Sequence, residues 1–173
     1  MKTQAVELNR DTNTVVRIQT MGSLVLPFGF AQRRVYAGPY LHKPAHMIGI
    51  NLAAESNAKS HMHVPIRDFG VPLSVLLVDK AVIETLNLLV DDAAPVYVGC
   101  RGGIGRTGMF LALLAKTLGV ALPISFVRAN YLSDAVETSA QGKYIDGYVS
   151  PLSAPELWWL KTRALFKGHH RRI

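Results

Sequence analysis

Cysteine is nearly missing from this chain: Cys100 is the only one in 173 residues. An internal disulfide is therefore excluded, and an oxidised Cys100 would find no resolving thiol in the same chain. Long apolar runs are missing too. None reaches the roughly 18–20 residues that a membrane-spanning helix needs. The opening stretch, MKTQAVELNRDTNTVVRIQ, is polar and mixed in charge, without the apolar core of a signal peptide, so a soluble cytoplasmic protein is the expectation. Repeats, low-complexity tracts and linkers are lacking, which leaves one compact domain over 1–173. Within it, 1–30 form an N-terminal extension or edge elements, and 168–173 form a basic tail. Acidic residues are in short supply: 12 against 19 Lys and Arg give a formal charge of +7, which favours anionic partners.

Apolar residues make up 49% of the chain, enough for a sizeable core. Their spacing predicts short strands over 33–41, 46–53, 61–66 and 95–99. Helical spacing runs through 72–92, with Pro72 near its start, and through 106–120, which Gly119 ends. A further helical stretch is expected in 123–137, with Pro123 in its first turn. A last one spans 153–167, where Ser153 and Glu156 have capping-box spacing and Trp158, Trp159 and Leu165 are expected to give it a face to bury. Alternating strands and helices predict an α/β fold: a central, mostly parallel sheet flanked by helices in layers.

The stretch VYVGCRGGIGRTGMF, residues 96–110, runs from an apolar strand through a glycine-rich loop into an apolar helix. A strand, tight loop and helix N-terminus aim backbone N–H groups at one point, so the loop is built for an anion. Three readings compete. Gly103-x-Gly105-x-x-Gly108 spells a dinucleotide fingerprint, but Cys100 and Arg101 intervene after the strand, and no acidic residue closes a second strand about 20 residues on. A sulfurtransferase of the rhodanese type closes a tighter loop, with its Arg or Thr at the position of Gly105. The third reading, a cysteine-dependent phosphatase, uses Cys100 and Arg106 with five residues between them. There Cys100 would act as a thiolate, favoured by the helix N-terminus and by Arg101 and Arg106. Arg106 would fork onto two phosphoryl oxygens, a geometry lysine lacks. Arg101, Gly102, Gly103, Ile104, Gly105 and Arg106 would wrap the phosphoryl group, and Thr107 would donate its hydroxyl to the departing thiolate.

A phosphate monoester also needs a proton on its leaving oxygen. Asp68, in PIRDFGVP just past an apolar strand, is the candidate, whereas Asp79, Asp91, Asp92, Asp134 and Asp146 lie in helical patterns or their flanks. With this set in order along the chain, the sequence resembles the cysteine-based protein tyrosine and dual-specificity phosphatase superfamily. CRGGIGRTG resembles its Cys-x5-Arg-Thr/Ser loop, DFGVP its general-acid loop, and VRANYLSDAVETSAQGKY its later Val-Arg helix and Gln-Thr-x-x-Gln segment. HMIGINLAAE resembles the strand that opens the catalytic domain.

The resemblance implies a metal-independent, cofactor-free hydrolase acting on phosphoproteins, with tyrosine or dual specificity, through a cysteinyl-phosphate. It implies that Asp68 serves as acid and then as base, and that Gln141 places the attacking water. Two departures stand out. The family usually has His before its nucleophile, where this chain has Gly99, and Glu137 replaces the first Gln of the later segment. Arg101, with Arg67, leaves a phosphoinositide or other polyanionic substrate as an alternative. A non-catalytic phosphate-binding module and a sulfurtransferase remain as further alternatives. No nucleic acid partner is expected. His61-x-His63 has no evident third ligand, so no metal is expected.

Overall fold

The computed structural model describes residues 21–167 in full, together with the backbone of two strands before them, β1 (Gln4–Asn9) and β2 (Thr14–Gln19), which pair antiparallel. The expected basic tail at 168–173 lies outside the described residues.

The main sheet has five strands: β3 (Gly22–Phe28), β4 (Ala31–Pro39), β5 (Ile48–Ala53), β6 (Met62–Ile66) and β7 (Val96–Cys100). Their spatial order is β3-β4-β7-β5-β6. Only β3–β4 is antiparallel; β4–β7, β7–β5 and β5–β6 run parallel. The mostly parallel sheet expected from the alternating pattern is thus present, with β3 and β6 at its edges. β7 is buried at every position, as a central parallel strand covered on both faces should be.

Five helices follow: α1 (Val75–Asp91), α2 (Gly105–Thr117), α3 (Pro123–Asn130), α4 (Ser139–Gly147) and α5 (Ala154–Lys167). α1 starts three residues past Pro72 because the Ser74 hydroxyl accepts the Leu77 N–H and caps it. Gly119 turns the chain out of α2 at φ +92°, as its sequence position suggests. The layers are unequal. Val35, Ile50, Leu52, Val96 and Val98 point to one face, where buried residues of all five helices join them in a single core. The opposite face carries a smaller cluster of Tyr40, Met47 and Tyr97, with Tyr36 and Ala58 against it.

One expectation about α5 is overturned. Trp158, Trp159 and Leu165 are 66%, 59% and 39% exposed. Leu160 and Ala164, with Leu157 beside them, form the buried stripe that meets β3, β4 and α1. These three positions share a helical face at i, i+3 and i+7. The tryptophans project away from it, so their size does not place them in the core.

Candidate active site

β7 ends at Cys100, and α2 begins at Gly105, whose N–H bonds the Glu137 carboxylate, since the N-cap residue Ile104 offers no side-chain cap. The Cys100 thiol is buried and receives two hydrogen bonds: the Gly103 N–H at 3.3 Å and the Thr107 hydroxyl at 3.2 Å. Thr107 Oγ1 in turn accepts the Cys100 N–H at 2.9 Å, which ties the end of the strand to the first turn of the helix. Gly103 lies at φ +72°, and its carbonyl accepts the buried Tyr131 hydroxyl at 2.6 Å.

Gly99 has a steric reason. A Cβ there would sit 2.6 Å from the Gly38 carbonyl oxygen and 2.9 Å from Tyr40 Cα. A Cβ on Gly103 would stand 2.5–2.7 Å from Gly38 and Pro39 backbone atoms. The end of β4 therefore packs directly against the strand end and the loop. The Tyr97 hydroxyl holds it there by donating to the Pro39 carbonyl at 2.9 Å.

Arg106 is 2% exposed, and both of its terminal nitrogens are bonded. Its two terminal nitrogens each donate to one oxygen of Glu55 at 2.8 Å. Nη1 also donates to the Ile66 carbonyl at 2.9 Å, and Nη2 meets Asp68 Oδ1 at 2.8 Å. The Arg106 hydrogen bonds hold the Glu55 carboxyl below the usual glutamate range. Glu55 had not been singled out. Its signal was the same as that of Asp68: an acidic residue just past the end of an apolar strand.

Asp68 sits in a turn closed by the Gly70 N–H to the Arg67 carbonyl at 2.9 Å, with Phe69 at φ +56°. That turn is docked on the start of α4. The Thr138 hydroxyl donates to the Phe69 carbonyl, and Gln141 Nε2 to the Gly70 carbonyl, both at 3.3 Å. The expectation that Gln141 places a water does not fit this geometry. The residue is fully buried, and its Oε1 accepts the N–H groups of Glu137 at 3.0 Å and Thr138 at 3.4 Å in the capping box of α4. The amide is used up in folding.

Glu137 occupies the edge of the loop instead: its Oε2 fills the place where a Cβ on Gly105 would go. Burial pushes the Glu137 carboxyl above the usual glutamate range, the Gly105 N–H opposes that, and the charge of Asp68 adds to it. Arg67 and Arg101 are exposed, and the Arg101 charge reaches Glu55. His61 pairs with Glu84 at 2.8 Å and His63 with the Ala53 carbonyl at 2.9 Å. Among the described residues no group of three or more His, Cys, Asp or Glu could hold a metal ion, and no helix is long and apolar enough to cross a membrane.

Residues 42–118 match the family model described as "Polymorphic toxin system, DSP-PTPase phosphatase", and they contain Glu55, Asp68 and the whole loop from Cys100 to Arg106. Over that stretch the chain is similar to cysteine-dependent dual-specificity and tyrosine phosphatases. Two uncharacterized proteins of Methanocaldococcus jannaschii are 37% and 36% identical to it over 95 residues, covering 51% of this chain and 58% and 54% of theirs. The 197R protein of Invertebrate iridescent virus 6, which carries a tyrosine-phosphatase name, is 25% identical over 127 residues, 65% of this chain and 47% of its own. The chain spans about half the length of the curated relatives it matches. Among solved structures, the active form of Tk-PTP aligns at TM-score 0.48 and 19% identity, over 70% of this chain and 93% of that one. The Trypanosoma brucei tyrosine phosphatase TbPTP1 aligns at 0.44 and 19%, over 86% and 48%.

Proposed function

We propose that the protein hydrolyses phosphate monoesters, on phosphoproteins with tyrosine or dual specificity, through a cysteinyl-phosphate. One observation carries this reading. At a helix N-terminus, Cys100 Sγ receives the Gly103 N–H and the Thr107 hydroxyl, while Arg106 beside it bonds Asp68.

In the first step the Cys100 thiolate attacks phosphorus, and the bond to the leaving oxygen breaks as Asp68 delivers a proton to that oxygen. The loop amides and Arg106 stabilise the charge that spreads over the phosphoryl oxygens. Glu55 supports this by fixing the plane of the Arg106 guanidinium with two parallel hydrogen bonds. In the second step water attacks phosphorus, and sulfur departs with the Thr107 hydroxyl donating to it. Gln141 belongs to the support of this machinery: it ties the Asp68 turn to α4. The exposed guanidinium groups of Arg67 and Arg101 suit an anionic substrate surface.

The test is aryl phosphate hydrolysis by wild type, Cys100→Ser and Asp68→Asn in EDTA. Wild type is expected to turn over unchanged by the chelator. Cys100→Ser is expected to be inactive, and Asp68→Asn to lose about 10²-fold or more in kcat. Wild-type rates in the serine variant would sink the mechanism.

A further inference from the structure

We propose that Glu137 is the general base of the second half-reaction, which leaves Asp68 with the acid's task in the first. The inference rests on the phosphatase reading above and deepens it.

The backbone around Glu137 is held in a costly conformation. Val136 lies at φ +64°, a region that a β-branched residue almost never enters. Such strain persists only where the surroundings over-determine it. Here Arg128 does so, donating from Nε to the Ala135 carbonyl and from Nη2 to the Val136 carbonyl, both at 2.9 Å. On the other side Ala135 abuts Gly108 of α2, where an added Cβ would stand 2.6 Å from the Ala135 Cβ. The Glu137 N–H is then fixed by Gln141. The result is a carboxylate laid against Gly105, in the wall of the loop that holds Cys100.

The groups that face it are Asp68 from the acid turn, Arg106 from α2 and Asp134 from the α3–α4 connection. Glu137 keeps an exposed side toward solvent, from which the attacking water comes. Asp68 Oδ1 pairs with Arg106 Nη2 at 2.8 Å and accepts the Phe69 N–H at 3.2 Å, while the Glu137 carboxylate accepts the Gly105 N–H of the loop itself.

The step balances. The water oxygen forms a bond to phosphorus and the phosphorus–sulfur bond breaks, its electron pair leaving on Cys100 as thiolate. The water proton passes to Glu137. Hydrogen phosphate, the thiolate and a protonated Glu137 result, and Glu137 returns its proton to solvent.

Rapid-quench kinetics with an aryl phosphate separate the two steps. In Glu137→Gln, phenol is expected in a burst at the wild-type rate, followed by turnover about 10²-fold slower. Phosphorylated enzyme should accumulate in the intact mass, and the acidic limb of the kcat–pH profile should be lost. Glu137→Asp should recover part of the turnover and restore that limb, which shows that the fold tolerates the site. Asp68→Asn should slow the burst itself. The proposal is overturned if Glu137→Gln keeps wild-type kcat and its acidic limb, or if its burst slows in proportion to kcat. If wild type releases no phenol, the phosphatase reading fails and takes this inference with it; the outcomes above overturn the inference alone.

Discussion

At the scale of single residues, the loop is defined as much by what surrounds it as by Cys100 and Arg106. Gly99 stands where the superfamily usually has His, and no side chain fits there: the Gly38 carbonyl and the Tyr40 backbone occupy the space. The support that a His would supply comes from elsewhere. Tyr131 is the clearest part of it, because one residue carries both contacts: the Gly103 N–H points at Cys100 Sγ, and the Gly103 carbonyl accepts the Tyr131 hydroxyl. Tyr131→Phe leaves that buried carbonyl without its donor. It should cost about 1–3 kcal/mol in urea unfolding, lower kcat, and change the rate of Cys100 alkylation by iodoacetamide. Wild-type alkylation and turnover with only the stability loss would reduce Tyr131 to a packing residue.

Sequence spacing singled out Asp68, Cys100, Arg106 and Thr107, and the structure pairs Arg106 with Asp68 and Thr107 with Cys100. It did not identify Glu55 or Tyr131. An acidic residue after a strand and a tyrosine after a helix are ordinary in any chain, and their meaning comes from partners 51 and 28 positions away.

Among the secondary-structure elements, β7 and α2 could be read easily, because an apolar β-branched run changes to helical spacing across a glycine-rich loop. The helix α4 could not. Its sequence SAQGKYIDG contains two glycines, and only Gln141 and Ile145 are buried. The Thr138–Gln141 capping box starts it, and the docked Asp68 turn then covers that box. α5 shows the opposite error: strong apolar residues on the wrong face. Leu160→Ala should cost about 2–5 kcal/mol, since Leu160 is 4% exposed in the core. Trp158→Ser should stay within about 0.5 kcal/mol, since the indole is 66% exposed. Chemical denaturation of the two variants checks the assignment, and a larger loss for Trp158→Ser would contradict it.

For the molecule as a whole, stability should depend on pH through a few carboxylates. Glu55 is held below its ordinary range chiefly by hydrogen bonds from Arg106, and Asp91 chiefly by its hydrogen bond from Lys167. Depressed groups contribute stability above their unfolded values, about 4.3 for Glu and 3.9 for Asp. That contribution is lost as pH falls through the lower folded values. Glu137 runs the other way. Burial raises it, so its contribution is present below about 4.3 and fades as pH rises through its higher folded value. The melting temperature of wild type is therefore expected to drop below about pH 4, and Glu55→Gln should flatten that drop. An unchanged slope in Glu55→Gln would show that the Arg106 pair contributes little to stability.

The α/β class, the strand–loop–helix unit around 96–117 and the turn after β6 were legible in the sequence alone, because they depend on local periodicity and on spacings within a few residues. Which side chains hold that loop was decided only by the tertiary structure. The glycines at 38, 99 and 103 let three chain segments approach at backbone contact, and the strained turn at Val136 sets Glu137 beside Gly105. Close packing between distant segments has no local signature, since any one glycine or acid reads the same until its neighbours are in place.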